Sequence, residues 1–216
     1  MFRKFTSSLN NMTIAPGMVM ISLSAIALGA AFGGYLPLIA LWMETLEVSF
    51  QKIGIISGSS ALGIICSAYF APHFAQKYGY VSTINIGLIL AAIMTVLFRY
   101  TENYIAWLVI RFISGLGLGL HWVLTEAWLA KIVSDHGRTR VMAIYATAIS
   151  IGFAAGPCII WLFGFSTPTP FYMLASFLLV AALPIYKLRR HEPQAEFLTR
   201  GSPLLLIRKA PTVASA

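Results

Sequence analysis

Residues 104–130 read YIAWLVIRFISGLGLGLHWVLTEAWLA, an unbroken apolar run with Arg111, His121 and Glu126 set inside it. A helix needs about 20 residues to cross ~30 Å of hydrocarbon, and this run exceeds that length. A charged residue near the middle of a spanning helix costs ~2.5–3.5 kcal/mol on insertion scales, so such residues face a bundle interior or a wet cavity. The run is therefore read as one helix of a bundle, with its polar side turned away from lipid.

Working outward, five further stretches have the same character: residues 17–43, 53–76, 81–98, 141–163 and 170–186. Together they predict an all-α membrane protein of six transmembrane helices. Composition agrees, since a chain that is 58% hydrophobic and 10% charged, with mean hydropathy +0.80, holds more apolar surface than a soluble core of this size can hide. The lipid bilayer is its first partner.

The net charge of +8 is not read as a nucleic-acid footprint. Basic patches that bind nucleic acid cluster on a solvated face. Here, if the first span leaves the cytoplasm, Lys77, Lys131, Arg138, Arg140, Lys187, Arg189 and Arg190 fall on the inner side with Arg3, Lys4, Arg200, Arg208 and Lys209. Only Lys52 and Arg99 fall outside. That bias places both termini in the cytoplasm with an even number of crossings, as expected of a multi-pass protein of the plasma (inner) membrane. The opening Met1-Phe-Arg-Lys resembles a secretory leader, but the apolar run from Ile14 to Met43 is far longer than the 7–15 residues of a leader core.

The chain divides into a cytoplasmic tail, residues 1–16, a six-helix bundle, residues 17–186, and a basic cytoplasmic linker, residues 187–216. Ser49 is expected to cap the second helix, and Pro170 suits the first turn of the sixth. The links at residues 71–80 and 134–140 are short, which predicts that consecutive helices pack as antiparallel neighbours. Gly29, Gly33 and Gly34 in the first span resemble Gly115, Gly117 and Gly119 in the fourth, and Ala61-Leu-Gly63 resembles Ser150-Ile-Gly152. Three helices per copy make this a 3+3 inverted repeat. Cys66 and Cys158 fall inside spans and show no metal spacing, so neither metal nor cofactor is expected.

Within the fourth span, about 100° per residue brings Arg111, Leu118, Gly119, Trp122 and Glu126 onto one stripe. Arg111 and Glu126 are roughly 22 Å apart along the axis, so they must meet different partners. For Arg111 the alternatives are an anchor to backbone carbonyls or a part in substrate or proton handling. For Glu126 they are a partner for Lys77, Arg138 or Arg140, or a functional carboxylate. His121 lies off the stripe and reads first as a packing residue. Gly115 and Gly119 share one face and Gly117 the opposite one, while Gly152 and Gly156 form a small-residue face directly before Pro157, where the helix is expected to bend. Trp42, Tyr100, Tyr104, Trp107, Tyr172 and Tyr186 read as interfacial aromatics. No nucleophile triad, metal cluster or phosphate loop is legible, so no enzyme is expected.

The sequence Arg111-Phe-Ile-Ser-Gly115-Leu-Gly117-Leu-Gly119 resembles the fourth-span motif of the major facilitator superfamily, and Gly152-Phe-Ala-Ala-Gly156-Pro157 resembles its fifth-span Gly-Pro motif. Between spans two and three that superfamily carries Gly-x-x-x-Asp-Arg-x-Gly-Arg. This chain has Pro72-His-Phe-Ala-Gln76-Lys77-Tyr-Gly79-Tyr80 there, with glutamine at the acidic position. The run from Thr125-Glu-Ala-Trp-Leu to Arg138-Thr-Arg140 is similar to a bacterial branch with a glutamate late in the fourth span.

The resemblance implies the amino-terminal half of a secondary transporter that moves a small solute by alternating access, with proton coupling. Arg111, Trp122, Tyr35 and His121 would handle substrate or protons, and Lys77, Gln76, Glu126, Asp135, Arg138 and Arg140 would form a cytoplasmic latch. It also implies a second six-helix half, or a homodimer, because the chain stops after Ser202-Pro-Leu-Leu-Leu-Ile-Arg208-Lys209, before a seventh span. The alternative is a fragment or vestigial half acting as a non-transporting interaction subunit.

Overall fold

In the computed structural model, residues 16–132 and 135–193 are described, and those residues contain only helices, turns and short links. The helices are α1 (Pro16–Thr45), α2 (Phe50–Tyr78), α3 (Tyr80–Arg99), α4 (Tyr104–Ile132), α5 (Asp135–Ala155), α6 (Pro157–Phe163) and α7 (Thr169–Lys187), followed by a 3-10 turn, Leu188–His191. Six segments are long and apolar enough to cross a membrane, the fifth made of α5 and α6 together. The tail, residues 1–15, and residues 194–216 of the linker lie outside the described residues, as do Arg3, Lys4, Arg200, Arg208 and Lys209.

Gly156-Pro157 divides the fifth span as its sequence predicts. Pro157 has no amide proton, so the Phe153 carbonyl four residues earlier loses its helical donor. The ladder resumes as Ile159 N donates to Gly156 O at 3.1 Å. Gly33 of α1 lies directly against the Phe153 carbonyl, so closely that a Cβ there would collide with it.

Three local expectations need correction. The link at residues 71–80 is helical almost throughout, with Pro72 inside α2 and Gly79 the single residue between α2 and α3. Gly79 makes that reversal at φ 86°, which only glycine adopts without strain. Asp135 already begins α5, so Arg138 and Arg140 are helical and not part of a loop. Ser49 occupies the start of α2 but makes no capping hydrogen bond with its side chain.

The spans joined by the short links at residues 71–80 and 134–140, α2 with α3 and α4 with α5, are not the close partners those links suggest. The tight pairs are α1 with α5 and α2 with α4, while α3 packs on α4 and α7, and α1 on α7. Glycine explains this, because helix axes approach closely only where no side chain intervenes. On α1, Gly29 and Gly33 face the backbone of α5 at Ile149 and Phe153, and Gly152 and Gly156 face back onto α1. On α4, Gly115 and Gly119 face α2 at Ser60 and Ser67, and Gly63 faces back onto Phe112 and Leu116. Gly117 points the other way, onto Gly87 of α3. The two interfaces are thus built alike, each pairing the first helix of one three-helix unit with the second helix of the other.

This arrangement leaves α2 and the fifth span on the outside. Their apolar windows are 28% and 22% buried, against 56% for the first and fourth spans. Ile55, Leu62, Ile65 and Tyr69 of α2, with Ile151 and Trp161 of α5 and α6, are exposed. Of the aromatics read as interfacial, Trp42 and Trp107 are instead buried, Trp42 beneath the guanidinium of Arg99 and Trp107 stacked on Phe98.

Candidate functional site

Arg111 of α4 is 1% exposed and faces Tyr35 of α1. Its guanidinium carbon lies 4.9 Å from the centroid of the Tyr35 ring, a cation–π contact in surroundings too apolar for water to screen. Thr95 and Ser114 also surround the Tyr35 hydroxyl. Among the described residues, no acceptor takes the Nε or Nη1 protons of Arg111, and the hydroxyls of Tyr35 and Ser114 are likewise buried without a hydrogen bond. Buried donors of this strength are normally satisfied, so the cluster holds unused hydrogen-bonding capacity inside the bundle.

About halfway from Arg111 to the basic end of α4, His121 is fully buried and joins three spans. Ser24 Oγ of α1 lies 2.8 Å from His121 Nε2, and the same hydroxyl donates to Ala181 O of α7 at 2.8 Å. A serine hydroxyl has one proton, so once it is given to Ala181 the histidine must donate from Nε2. His121 is thereby fixed as the Nε2–H tautomer, its Nδ1 buried without a partner among the described residues.

Trp122 and Glu126 stand one turn apart on the adjoining face. Trp122 Nε1 donates to Glu126 Oε1 at 2.6 Å. Thr125 Oγ1 donates to the His121 carbonyl at 2.7 Å, so the Tyr145 hydroxyl, 2.9 Å away, donates to Thr125 and ties α4 to α5. Trp122, Glu126 and Tyr145, with Met142, Ala146, Ile149 and Ser150 of α5, line a cavity of about 420 Å³ between the two helices. Phe32 of α1 lies edge-on to Trp122 at 6.4 Å and tilted against Phe153 at 6.1 Å. A larger concavity of about 520 Å³ lies between α2, α3 and α4. Phe70, Phe74, Ile86 and Leu120 are among its walls and none of its lining side chains is charged, which suits a lipid chain or another helix more than a solute.

The residues read as a latch are only partly gathered. Lys77 is exposed at the end of α2, its ammonium 5.1 Å from the Tyr78 ring, and Arg138 is exposed near the start of α5. Gln76 and Arg140 are engaged in contacts, and the side chain of Asp135 lies outside the described residues. Glu126, one turn beyond Trp122, stands on the cavity wall, and among the described residues its hydrogen-bond partner is that indole. A carboxylate that sequence reasoning missed does sit at the span two to span three reversal: Glu192 Oε1 accepts the Val81 amide at 3.1 Å and packs on Gly79. Its position after the sixth span, in a segment read only as basic, hid it.

Six spans, paired through glycine faces, surround a buried arginine and leave a solute-sized, mostly apolar cavity with one carboxylate on its wall, which defines a polytopic membrane bundle. The chain belongs to the Major Facilitator Superfamily, whose sequence profile matches residues 21–215. It is 25% identical over 166 residues to the MFS-type transporter YfkF of Bacillus subtilis (strain 168), covering 77% of this chain and 42% of that protein. It is 22% identical over 175 residues to the MFS-type transporter YcaD of Salmonella arizonae, covering 80% of this chain and 46% of that one. The chain thus spans less than half the length of these relatives. Among solved structures, a D-xylose-proton symporter superposes with a TM-score of 0.64 at 16% identity, over 94% of this chain and 52% of that one, a likeness of fold. The chain is an integral, multi-pass membrane bundle of that superfamily.

Proposed function

We propose that this bundle is the amino-terminal half of a secondary active transporter of the plasma (inner) membrane, which moves a small solute by alternating access with both termini in the cytoplasm. The observation that carries the reading is Arg111, buried beside Tyr35 with guanidinium donors unused. A buried arginine is retained at such expense where a partner arrives in one state of a working cycle and leaves in another. The exposed flanks of α2 and of the fifth span supply the face against which a second six-helix bundle rocks. Relatives about twice as long as this chain support that partner, with a homodimer as the substitute.

In this mechanism Arg111, Tyr35 and Trp122 line the route of the solute or of a coupling proton, and His121 holds α1, α4 and α7 together behind them. Lys77, Gln76, Asp135, Arg138 and Arg140 latch the cytoplasmic side, and the break at Gly156-Pro157 lets the fifth span bend. Solute-induced proton flux tests the reading, measured in proteoliposomes holding the longest protein that this reading frame encodes. A flux that Arg111→Lys slows supports it, and the absence of flux across a broad panel of solutes defeats it.

A further inference from the structure

The cavity between α4 and α5 carries one acidic side chain, Glu126, and no basic one. Among the described residues, Trp122 Nε1 is the one group hydrogen-bonded to that carboxylate. A carboxylate has about four acceptor positions, so most of its capacity points into the cavity unclaimed. Within a membrane-spanning segment this is an expensive arrangement unless a cation completes it.

The rest of the wall decides which cation. The rings of Trp122 and Tyr145 line the wall beside the carboxylate, with Phe32 edge-on to Trp122, and aromatic rings attract positive charge held close to them. Met142, Ala146 and Ile149 are apolar, and methionine adapts to irregular shapes. A hydrated metal ion would leave those walls unmatched, and an anion would be repelled. We propose that the α4–α5 cavity binds a lipophilic organic monocation, its charge against Glu126 and its apolar groups against the α5 wall. This substrate class rests on the transport reading above, but the site it names can be tested by binding alone.

Tritiated tetraphenylphosphonium serves as probe, with the purified 216-residue chain in detergent. Saturable binding is expected, with unlabelled tetraphenylphosphonium displacing the label at least about tenfold better than uncharged triphenylphosphine oxide. Glu126→Gln keeps the acceptor for Trp122 and removes the charge, so it should weaken cation binding by about tenfold and abolish the preference over the neutral compound. Glu126→Asp keeps the charge and should keep the preference, and Ile149→Trp fills the cavity and should abolish saturable binding.

Absence of saturable binding, equal displacement by the neutral compound, or a Glu126→Gln protein that keeps its preference would each overturn the proposal. Binding without flux of any solute would defeat the transport reading and leave the site standing. Flux of solutes with no cation binding would do the reverse.

Discussion

Ser24 Oγ stands 2.8 Å from His121 Nε2, and because its own proton goes to Ala181 O, one hydroxyl holds α1, α4 and α7 in register. Ser24→Ala removes the acceptor for a fully buried N–H. Loss of a buried hydrogen-bond partner costs ~1–3 kcal/mol, and a corresponding drop in thermal stability in detergent is expected. Nitrogen-15 spectra of labelled histidine should place the His121 proton on Nε2. A proton on Nδ1 would contradict the tie.

Not all glycines in the spans are equivalent. A methyl group at Gly115 would strike the Ser60 backbone, and one at Gly152 would strike Ile26 O. Alanine at either position should separate a helix pair and lower the melting temperature measurably. At Gly54 and Gly58 of α2 a methyl group meets nothing, and alanine there should stabilise the chain by ~0.4–1 kcal/mol through loss of freedom in the unfolded state. Equal effects at the two pairs of positions would refute the packing scheme.

Glu192 accepts the Val81 amide at the start of α3, where the helix dipole favours a negative charge. Glu192→Ala should speed hydrogen exchange at the Val81 amide by about tenfold or more, as loss of a part-buried hydrogen bond to a charged group allows. Glu192→Gln, which keeps an acceptor, should fall between. Gly79→Ala should be worse than either, since it places a side chain at φ 86° and drives it into Glu192.

The span count was legible because bilayer thickness imposes a length on apolar runs that sequence alone displays. The inward stripe of α4 followed from helical periodicity and the expense of a charge in lipid, and Arg111 at 1% exposure accords with it. The close faces of Gly115, Gly119, Gly152 and Gly156 were legible for the same reason. Which helices those faces would meet was not, since a small-residue stripe names no partner, and proximity in sequence pointed to the wrong neighbours. Nor could local pattern place Glu126 against Trp122 instead of Lys77, because both lay within reach on a one-dimensional reading. Glu192 was hidden because its partner, Val81, lies over a hundred residues away in the chain.

The central claim is that Arg111 works instead of merely packing. Its most direct test is solute-driven proton flux in proteoliposomes bearing the longest protein of this reading frame, compared with Arg111→Lys and Arg111→Met proteins of matched yield and melting temperature. Loss of flux by about a hundredfold in Arg111→Met, with partial activity in Arg111→Lys, is the predicted result, since lysine keeps the charge but not the fork of donors. Flux in the Arg111→Met protein equal to that of the parent would contradict the account.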